Sequence, residues 1–349
     1  MADPVRVGTP ALTAFGRALM ERAGVDSAQA ESVTENLVWN DAAGRHNHGF
    51  ERLPVLLDRV ASGAIRCPAE ISVREVGPAL AHLDAGGGFG QHAGRVAVDR
   101  ACDMAEAGGI GVVGVSGSNF YGTGAAFVAR ATARGHIAFA LSNSYAKVAA
   151  HGGRAPVLGT NPLAFGAPLA DGDLIVDFST AALAGSTLRD AQATGTPLPE
   201  GLAIDTEGAP VTDPAQAAGA TLLPDAGAKG FGLALMVEVL AGVLTGAGIG
   251  PEVGSLYADT DRPADNGHFF LVLDPGRWLP GGGFGERMAA LAGMVAASAP
   301  EGVVRLPGAA RAAALRESAE QGVALTAATW AGLGGLAERH GVALPKRRS

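Results

Sequence analysis

Charge, sulfur and aromatic rings are all scarce in this chain. Of its 349 residues only 17% are charged and 5% aromatic, and the two cysteines, Cys67 and Cys102, stand far apart with no Cys-x-x-Cys pair. That spacing offers no disulfide framework and no structural zinc cluster, and it fits a reduced, cytoplasmic protein. Net charge is −8 and the one basic block is the terminal Lys346-Arg347-Arg348, which excludes nucleic acid as the main partner. The N-terminus has no basic region followed by an apolar run, so no secretory signal is read there. The best membrane candidate, Phe231 to Gly250, carries Glu238 near its middle and is interrupted by glycines. It predicts a buried helix, not a span. The Gly-x-Ser-x-Gly elbow of serine hydrolases is missing too, since "GVSGSN" around Ser116 matches it only loosely.

Apolar residues make up 48% of the chain, enough for a large core arranged in two or three structural regions. Thr9 followed by Pro10 predicts a helix capped by Thr9 and stopped near Gly24, and Asp26 with Gln29 opens a second helix that runs into Trp39 and Asn40. From Leu80 onward strands alternate with helices: "LAHLD", a glycine turn, a helix from about Gly94 to Ala107, "IGVVGVS", another helix, then "HIAFALSN". This is the texture of an α/β core. "DLIVDFS" and "GHFFLVLD" read as buried strands. The stretch between them, from Gly195 to Gly230, is rich in Pro, Gly and Asp and predicts an ordered excursion around a site. Helices return from Ala309 to Gly322 and from Ala327 to His340.

Four local patterns carry chemistry. In "GRHNHGFERLP" (Gly44 to Pro54), His46 and His48 have the spacing of a metal pair, but no Asp, Glu or Cys cluster nearby supplies a third ligand with an open position. His48 beside Gly49 and four residues before Arg52 suits a general acid next to an anion-binding guanidinium, with Gly49 letting a substrate approach. A solvated helix end is the plainer alternative. Gly88, Gly90 and Gly94 with Glu106 approximate a dinucleotide fingerprint, yet the third glycine is one place late, so a tight turn competes. Lys229, set among glycines before an apolar helix, suits phosphate binding at a helix N-terminus or a solvated turn.

Longer motifs run through almost the whole sequence. They are Asn47-His48-Gly49 with Arg52-Leu53-Pro54, "SNFYGTGA" (Ser118 to Ala125), "SNS" (Ser142 to Ser144) and "GGRAPVLGTNPLAFGAP" (Gly152 to Pro168). "VDFSTA" (Val176 to Ala181), "KGFGLALMVEVLAGVLTGA" (Lys229 to Ala247), "GHFFLVLDP" and "VRLPG" (Val304 to Gly308) complete the set. Together they resemble the malate/L-lactate dehydrogenase family of the second type, which includes sulfolactate, ureidoglycolate and diketogulonate enzymes and a cyclic ketimine reductase. The resemblance implies an NAD(P)-dependent oxidoreductase of α/β class: a helical region built from both termini and a mainly antiparallel, non-Rossmann cofactor-binding sheet, assembled as a homodimer. It divides the chain into a helical region 1–75, a substrate-side region 76–120, a cofactor-binding domain 121–290 and C-terminal helices 291–349. His48 becomes the acid/base and Arg52 the clamp for a substrate carboxylate. Asn47, Phe120, Tyr121 and His151 are placed on the substrate side. Ser144, Thr160, Asn161, Phe178, Ser179, Thr180, Lys229, Pro307 and Gly308 are placed on the NAD or NADP side. No metal and no membrane enter this picture.

Three departures from that pattern stand out. Phe120 occupies the place of the family's second histidine, Ala43 that of an arginine before glycine, and Asn47 that of a serine. A substrate that is already a protonated imine would not need the second acid. A larger, less anionic substrate would also fit, packing on Phe120. Tyr121, His46, Arg45 or His151 would otherwise restore the lost group. A non-redox enzyme or binding protein on the same fold is the remaining alternative.

Overall fold

The computed structural model describes residues 4–300 and 302–348; the first three residues of the N-terminal segment read for a leader, and Ser349 of the basic terminus, lie outside them. Strand β1 (Val5–Val7) leads into α1 (Thr9–Arg22), which ends before Gly24 at φ +90°. The helix begins one residue earlier than the Thr9 cap predicts: Gly8 is the N-cap and no side chain caps it. Pro10 is tolerated inside the first turn because N–H groups there have no helical acceptor. α2 (Ser27–Ala42) starts as its sequence suggests, with the Asp26 carboxylate accepting the Gln29 N–H at 3.1 Å. α3 (Leu53–Ala61) follows two short 3-10 turns, His46–His48 and Phe50–Arg52.

The middle of the chain builds the sheet. Strands β2 (Ser72–Gly77) and β3 (Leu80–Asp84) precede α4 (Gly90–Gly108), β4 (Ile110–Ser118), α5 (Gly124–Thr132) and β5 (Ile137–Ser142). Two short strands, β6 (Val148–Ala149) and β7 (Pro156–Leu158), come before β8 (Leu163–Ala167), β9 (Leu174–Phe178) and α6 (Gly185–Thr194). After β10 (Ala203–Ile204) and β11 (Thr221–Leu222), α7 (Ala228–Val237) runs into a π turn, Glu238–Val243. β12 (Asn266–Leu273), α8 (Pro275–Trp278), α9 (Gly283–Ala296), α10 (Ala309–Gln321), β13 (Val323–Leu325) and α11 (Ala327–His340) finish the chain.

Seven strands form one sheet in the order β2-β3-β4-β12-β5-β8-β9, and every neighbouring pair is antiparallel except β3 with β4. This is a mainly antiparallel, non-Rossmann sheet, and it crosses the boundary drawn at residue 120. β12 comes late in the sequence but lies at the centre, with Phe270 opposite Val113 on one side and Ala140 on the other. Alternation along these strands fills the core between sheet and α4/α5 with Val113, Val115, Ala140, Phe270 and Val272. The two chain ends meet through β1 and β13, and α1, α2 and α11 share a second core around Leu12, Leu19, Leu37 and Leu333. The glycine-rich turn before α4 is a packing device. A Cβ at Gly90 would come 2.1 Å from the Asn119 carbonyl oxygen, and one at Gly88 2.5 Å from the Ala69 Cβ. The helix accordingly starts four residues before the predicted Gly94.

One sheet edge therefore gathers the end of β4, the start of β12, the end of β5, the start of β8 and the end of β9. The 3-10 turns after α2 face that edge. The functional groups collect there.

Candidate active site

A cavity of about 370 Å³ opens between these turns and the sheet edge. Asn47, His48 and Arg52 come from the turns, Phe120 and Tyr121 from the loop after β4, and Ser144 from the loop after β5. Thr160, Phe178 and Ser179 form the opposite wall. Residues separated by more than a hundred positions are thus in one place because consecutive strands end on the same edge.

The turn that carries His48 is built on a buried carboxylate. Asp41, near the end of α2, accepts the Phe50 N–H at 2.7 Å through Oδ2 and bonds His46 Nδ1 at 2.9 Å through Oδ1. Burial raises the Asp41 pKa, and the bond to Asp41 raises that of His46. A Cβ on Gly49 would sit 2.2 Å from that carboxylate. Gly49 is required for this close approach, a packing role that the sequence does not show. His46 is committed to the scaffold and does not line the cavity. Among the described residues no group of three or more His, Cys, Asp and Glu side chains is placed to hold a metal.

His48 is stacked on Phe120, ring centroids 5.7 Å apart, and its buried Nδ1 has no hydrogen-bond partner. Burial first, then the charges of Arg52, Arg45 and Arg189, push its pKa down to about 3. At neutral pH it is the uncharged imidazole, where an ordinary histidine would still be partly protonated. Arg52 is buried, with its guanidinium 3.4 Å from exposed Glu51 and 5.7 Å from the ring centre of Tyr257. Tyr121 is also buried; it stacks at 4.6 Å on His268, and its hydroxyl has no partner. His268 in turn bonds Ser142 Oγ and Ser118 Oγ, both at 2.8 Å, which locks the floor of the cavity to three adjacent strands. Asn119 fixes the loop between by donating to the Gly87 and Gly88 carbonyls, each at 2.9 Å.

Of the residues placed on the cofactor side, Ser144, Thr160, Phe178 and Ser179 line the cavity. Asn161 and Thr180 are buried behind it instead. Asn161 donates to Glu238 at 2.6 Å and to the Ala234 carbonyl at 3.0 Å, and the Thr180 hydroxyl donates to the Thr160 and Asn161 carbonyls at 3.1 Å. Both hold the wall rather than form it. Lys229 is exposed in the first turn of α7, outside the lining. His151 is exposed beside Gly227 and does not reach the cavity, so it does not replace the missing histidine. Pro307 and Gly308 meet the far end of β9, where the Ile175 N–H donates to the Pro307 carbonyl at 3.1 Å. The Pro/Gly/Asp-rich excursion folds onto β6 and β7 as a small four-stranded sheet and contributes nothing to the lining, because α6 closes the cavity in front of it.

Sequence reading passed over Tyr145, Lys147, Asp177, Arg189 and Tyr257, all of which line the cavity. Asp177 sits inside the "VDFSTA" motif at the end of β9 and Arg189 on α6, while Tyr145, Lys147 and Tyr257 are brought in by loops. Arg59 shows how: wholly buried in α3, it donates to the Ser255, Asp259 and Arg262 carbonyls and pins the loop that delivers Tyr257. Arg45, two positions after Ala43, also lines the cavity.

Comparison with known proteins fixes the family. Residues 7–334 match the malate/L-lactate dehydrogenase family. The chain belongs to it. Among relatives, the (2R)-3-sulfolactate dehydrogenase (NADP(+)) of Chromohalobacter salexigens is 36% identical over 87% of this chain and 90% of that one. The Delta(1)-pyrroline-2-carboxylate/Delta(1)-piperideine-2-carboxylate reductase of Pseudomonas putida is 34% identical over 92% and 94%. The crystal structure of delta1-piperideine-2-carboxylate reductase from Pseudomonas syringae pvar. tomato superposes with a TM-score of 0.88, at 32% identity, covering 95% of this chain and 99% of that one. By family membership the protein is an oxidoreductase.

Proposed function

We propose that the protein is an NAD(P)-dependent oxidoreductase that exchanges hydride with a carbon next to a carboxylate, most directly in a 2-hydroxy/2-oxo acid pair. The observation that carries this reading is the pairing on one cavity wall of His48, with a buried and unpartnered Nδ1, and the Arg52 guanidinium. The walls fit a nicotinamide cofactor. Phe178 presents an apolar face, 40% exposed, beside the hydroxyls of Ser144, Thr160 and Ser179. When bound, the nicotinamide gives or accepts hydride.

Arg52 offers a planar fork to the substrate carboxylate and sets which face of the neighbouring carbon is presented. Neutral His48 is ready to take the hydroxyl proton during oxidation. During reduction the same nitrogen returns a proton to the carbonyl oxygen, and an anion bound at Arg52 cancels part of the positive field that depresses the imidazole. Phe120 excludes water from one face of His48. The relatives that reduce cyclic imines give a second reading, favoured by Phe120 in place of a second acid. The cluster of cations around the cavity opposes it, since a protonated imine would enter a positive field.

The test is oxidation of NADH and NADPH by the purified protein with a 2-oxo acid and with a cyclic 2-carboxy ketimine, beside His48→Gln. The oxo acid should be turned over faster, and H48Q should lose two to four orders of magnitude in kcat while still binding cofactor, as about expected for removal of a general acid/base. A ketimine preference would establish the second reading. Failure to bind either cofactor at millimolar concentration would leave only a non-redox or binding role.

The same reading includes a homodimer. α9 buries none of its side chains, and Trp278 just before it is 74% exposed. Apolar surface of this kind is characteristic of a subunit interface.

A further inference from the structure

A second cavity, of about 710 Å³, opens on the helical side of the sheet where α2, α4 and α5 meet. Trp39 enters it from α2, Gln91 from the first turn of α4, and Ala126 and Ala129 from α5, with Ala133 at the C-cap of that helix. It is not part of the cavity that holds His48. Phe127 lines the one and Tyr121 the other, and the two rings stack with centroids 5.0 Å apart, so an aromatic pair forms the wall between them.

Gln91 is the group that asks for a partner. It is wholly buried, and among the described residues neither its Oε1 nor its Nε2 has a hydrogen-bond partner. A buried carboxamide left unpaired costs stability that an apolar side chain of similar size would not. The polar groups around it are already committed. Ser32 Oγ donates to the Ala28 carbonyl at 3.0 Å and bonds His92 Nδ1 at 2.8 Å, and Asn36 Oδ1 accepts from Asn40 at 3.0 Å. At the mouth Arg95 pairs with Glu35 at 2.8 Å, Arg130 with Asp99 at 2.8 Å and Arg134 with Asp103 at 2.7 Å. Three cations face three acids, so the mouth offers no net charge to an ion.

The cavity therefore presents a carboxamide, an indole and a stripe of alanines. A carboxamide satisfies both of its ends at once on an edge that shows a donor beside an acceptor. An amino group next to a ring nitrogen is such an edge, and glutamine reads it with two hydrogen bonds. The Trp39 indole supplies a stacking face for the same ring, and the alanines leave room for it.

We propose that this cavity is a second ligand site, taking an uncharged planar ring that carries an amino group beside a ring nitrogen, the edge shared by adenine and cytosine. Gln91 pairs with that edge through both amide atoms while the ring stacks on Trp39. The site uses none of the groups assigned to hydride transfer, so it stands or falls apart from the redox reading.

The test is calorimetric titration of the purified protein with 9-methyladenine and with 9-methylpurine, which has the same ring without the amino group. Trp39 is one of three tryptophans, and its emission reports the stacking. The protein should bind 9-methyladenine roughly tenfold or more tightly than 9-methylpurine, with quenching that disappears in Trp39→Phe. Gln91→Leu should remove the preference for the amino group. Ala133→Trp, at the exposed rim, should block binding without entering the core, and it decides alone if Gln91→Leu is unstable. No binding, equal binding of the two rings, or binding that survives both Gln91→Leu and Ala133→Trp overturns the proposal. The binding that Gln91→Leu removes should be no tighter for adenosine 5′-phosphate than for adenosine. A phosphate that tightens it would overturn the uncharged class.

Discussion

His48 and His268 show how differently one residue type is used within a few ångströms. Both are held neutral with pKa values pushed down to about 3, chiefly by burial, but His268 has both ring nitrogens bonded while His48 Nδ1 has no partner. His268 is held as structure and His48 is the group proposed for chemistry; partner count separates them where acidity does not. A histidine whose folded pKa lies below its unfolded value of about 6.5 stabilises the protein fully above that value. The contribution is lost as pH falls through the window between 6.5 and 3, because the unfolded chain takes up the proton first. Asp41 and Asp177, whose pKa values are raised, and His46, also raised, act in the opposite sense. A difference measurement isolates His268 from them. The stability gap between wild type and His268→Gln, from urea unfolding, should shrink by about 2–3 kcal/mol between pH 7.5 and pH 4.5, at ~1.4 kcal/mol per unit. A constant gap would mean that His268 titrates alike in both states.

Among the elements, α7 and its π turn were the hardest to read and are the most instructive. The apolar run from Phe231 predicts burial, yet Leu235, Met236, Val239, Val243 and Leu244 are exposed, while Ala234, Val237 and Ala241 face inward. Periodicity shows that a face exists; it does not show what covers it. Glu238, which argued against a membrane span, is the anchor: it accepts the Gly250 N–H at 2.8 Å and the Asn161 amide at 2.6 Å, and Asn143 reaches it at 3.5 Å. Asn143 and Asn161 adjoin Ser144 and Thr160, so one buried carboxylate ties the helix to two loops of the cavity wall. Strand positions were legible for a simpler reason, since β3, β4, β5, β9 and β12 are short segments rich in Leu, Ile, Val, Phe and Ala set off by turn residues. The helix ends at Gly24 and Gly341 were legible from turn chemistry. His48 and Arg52 were visible because they share one motif, whereas Lys147, Arg189 and Tyr257 have no sequence relation and meet only through topology. Glu238→Ala removes one acceptor from each of two amides, which keep the Ala234 and Gly248 carbonyls, and leaves the Gly250 N–H without one. It should cost roughly 2–4 kcal/mol of stability and raise the cofactor KM more than the substrate KM. Thermal unfolding with paired KM values checks both, and an unchanged cofactor KM would show that the anchor does not position the wall.

At the scale of the whole molecule, the question is what the exposed apolar surface is for. No helix among the described residues is long and apolar enough to cross a membrane. α9 nevertheless shows Leu291 at 48% and Met294 at 66%, and the π turn shows Val243 at 59%. Isolated apolar residues on a surface need no explanation, but a whole helix whose apolar side chains are at best half-buried draws little stability from packing within this chain. Under the proposed homodimer a second copy would cover it: a twofold interface buries the same patch on both partners and leaves no open apolar edge. Burying such residues contributes about 25 cal/mol per Å² of apolar area, enough for a stable dimer once an interface of ordinary size forms. Light scattering coupled to size exclusion should therefore return twice the 34.8 kDa chain mass. Leu291→Glu combined with Met294→Glu should shift the population toward the single-chain mass at micromolar concentration and lower the thermal midpoint, because α9 then loses its cover. A wild-type protein that elutes at one chain mass across that range would remove the dimer and leave the α9 face without an occupant. A double variant that stays dimeric at unchanged stability would move the interface elsewhere, with the π-turn face around Val243 and Leu244 the next to substitute.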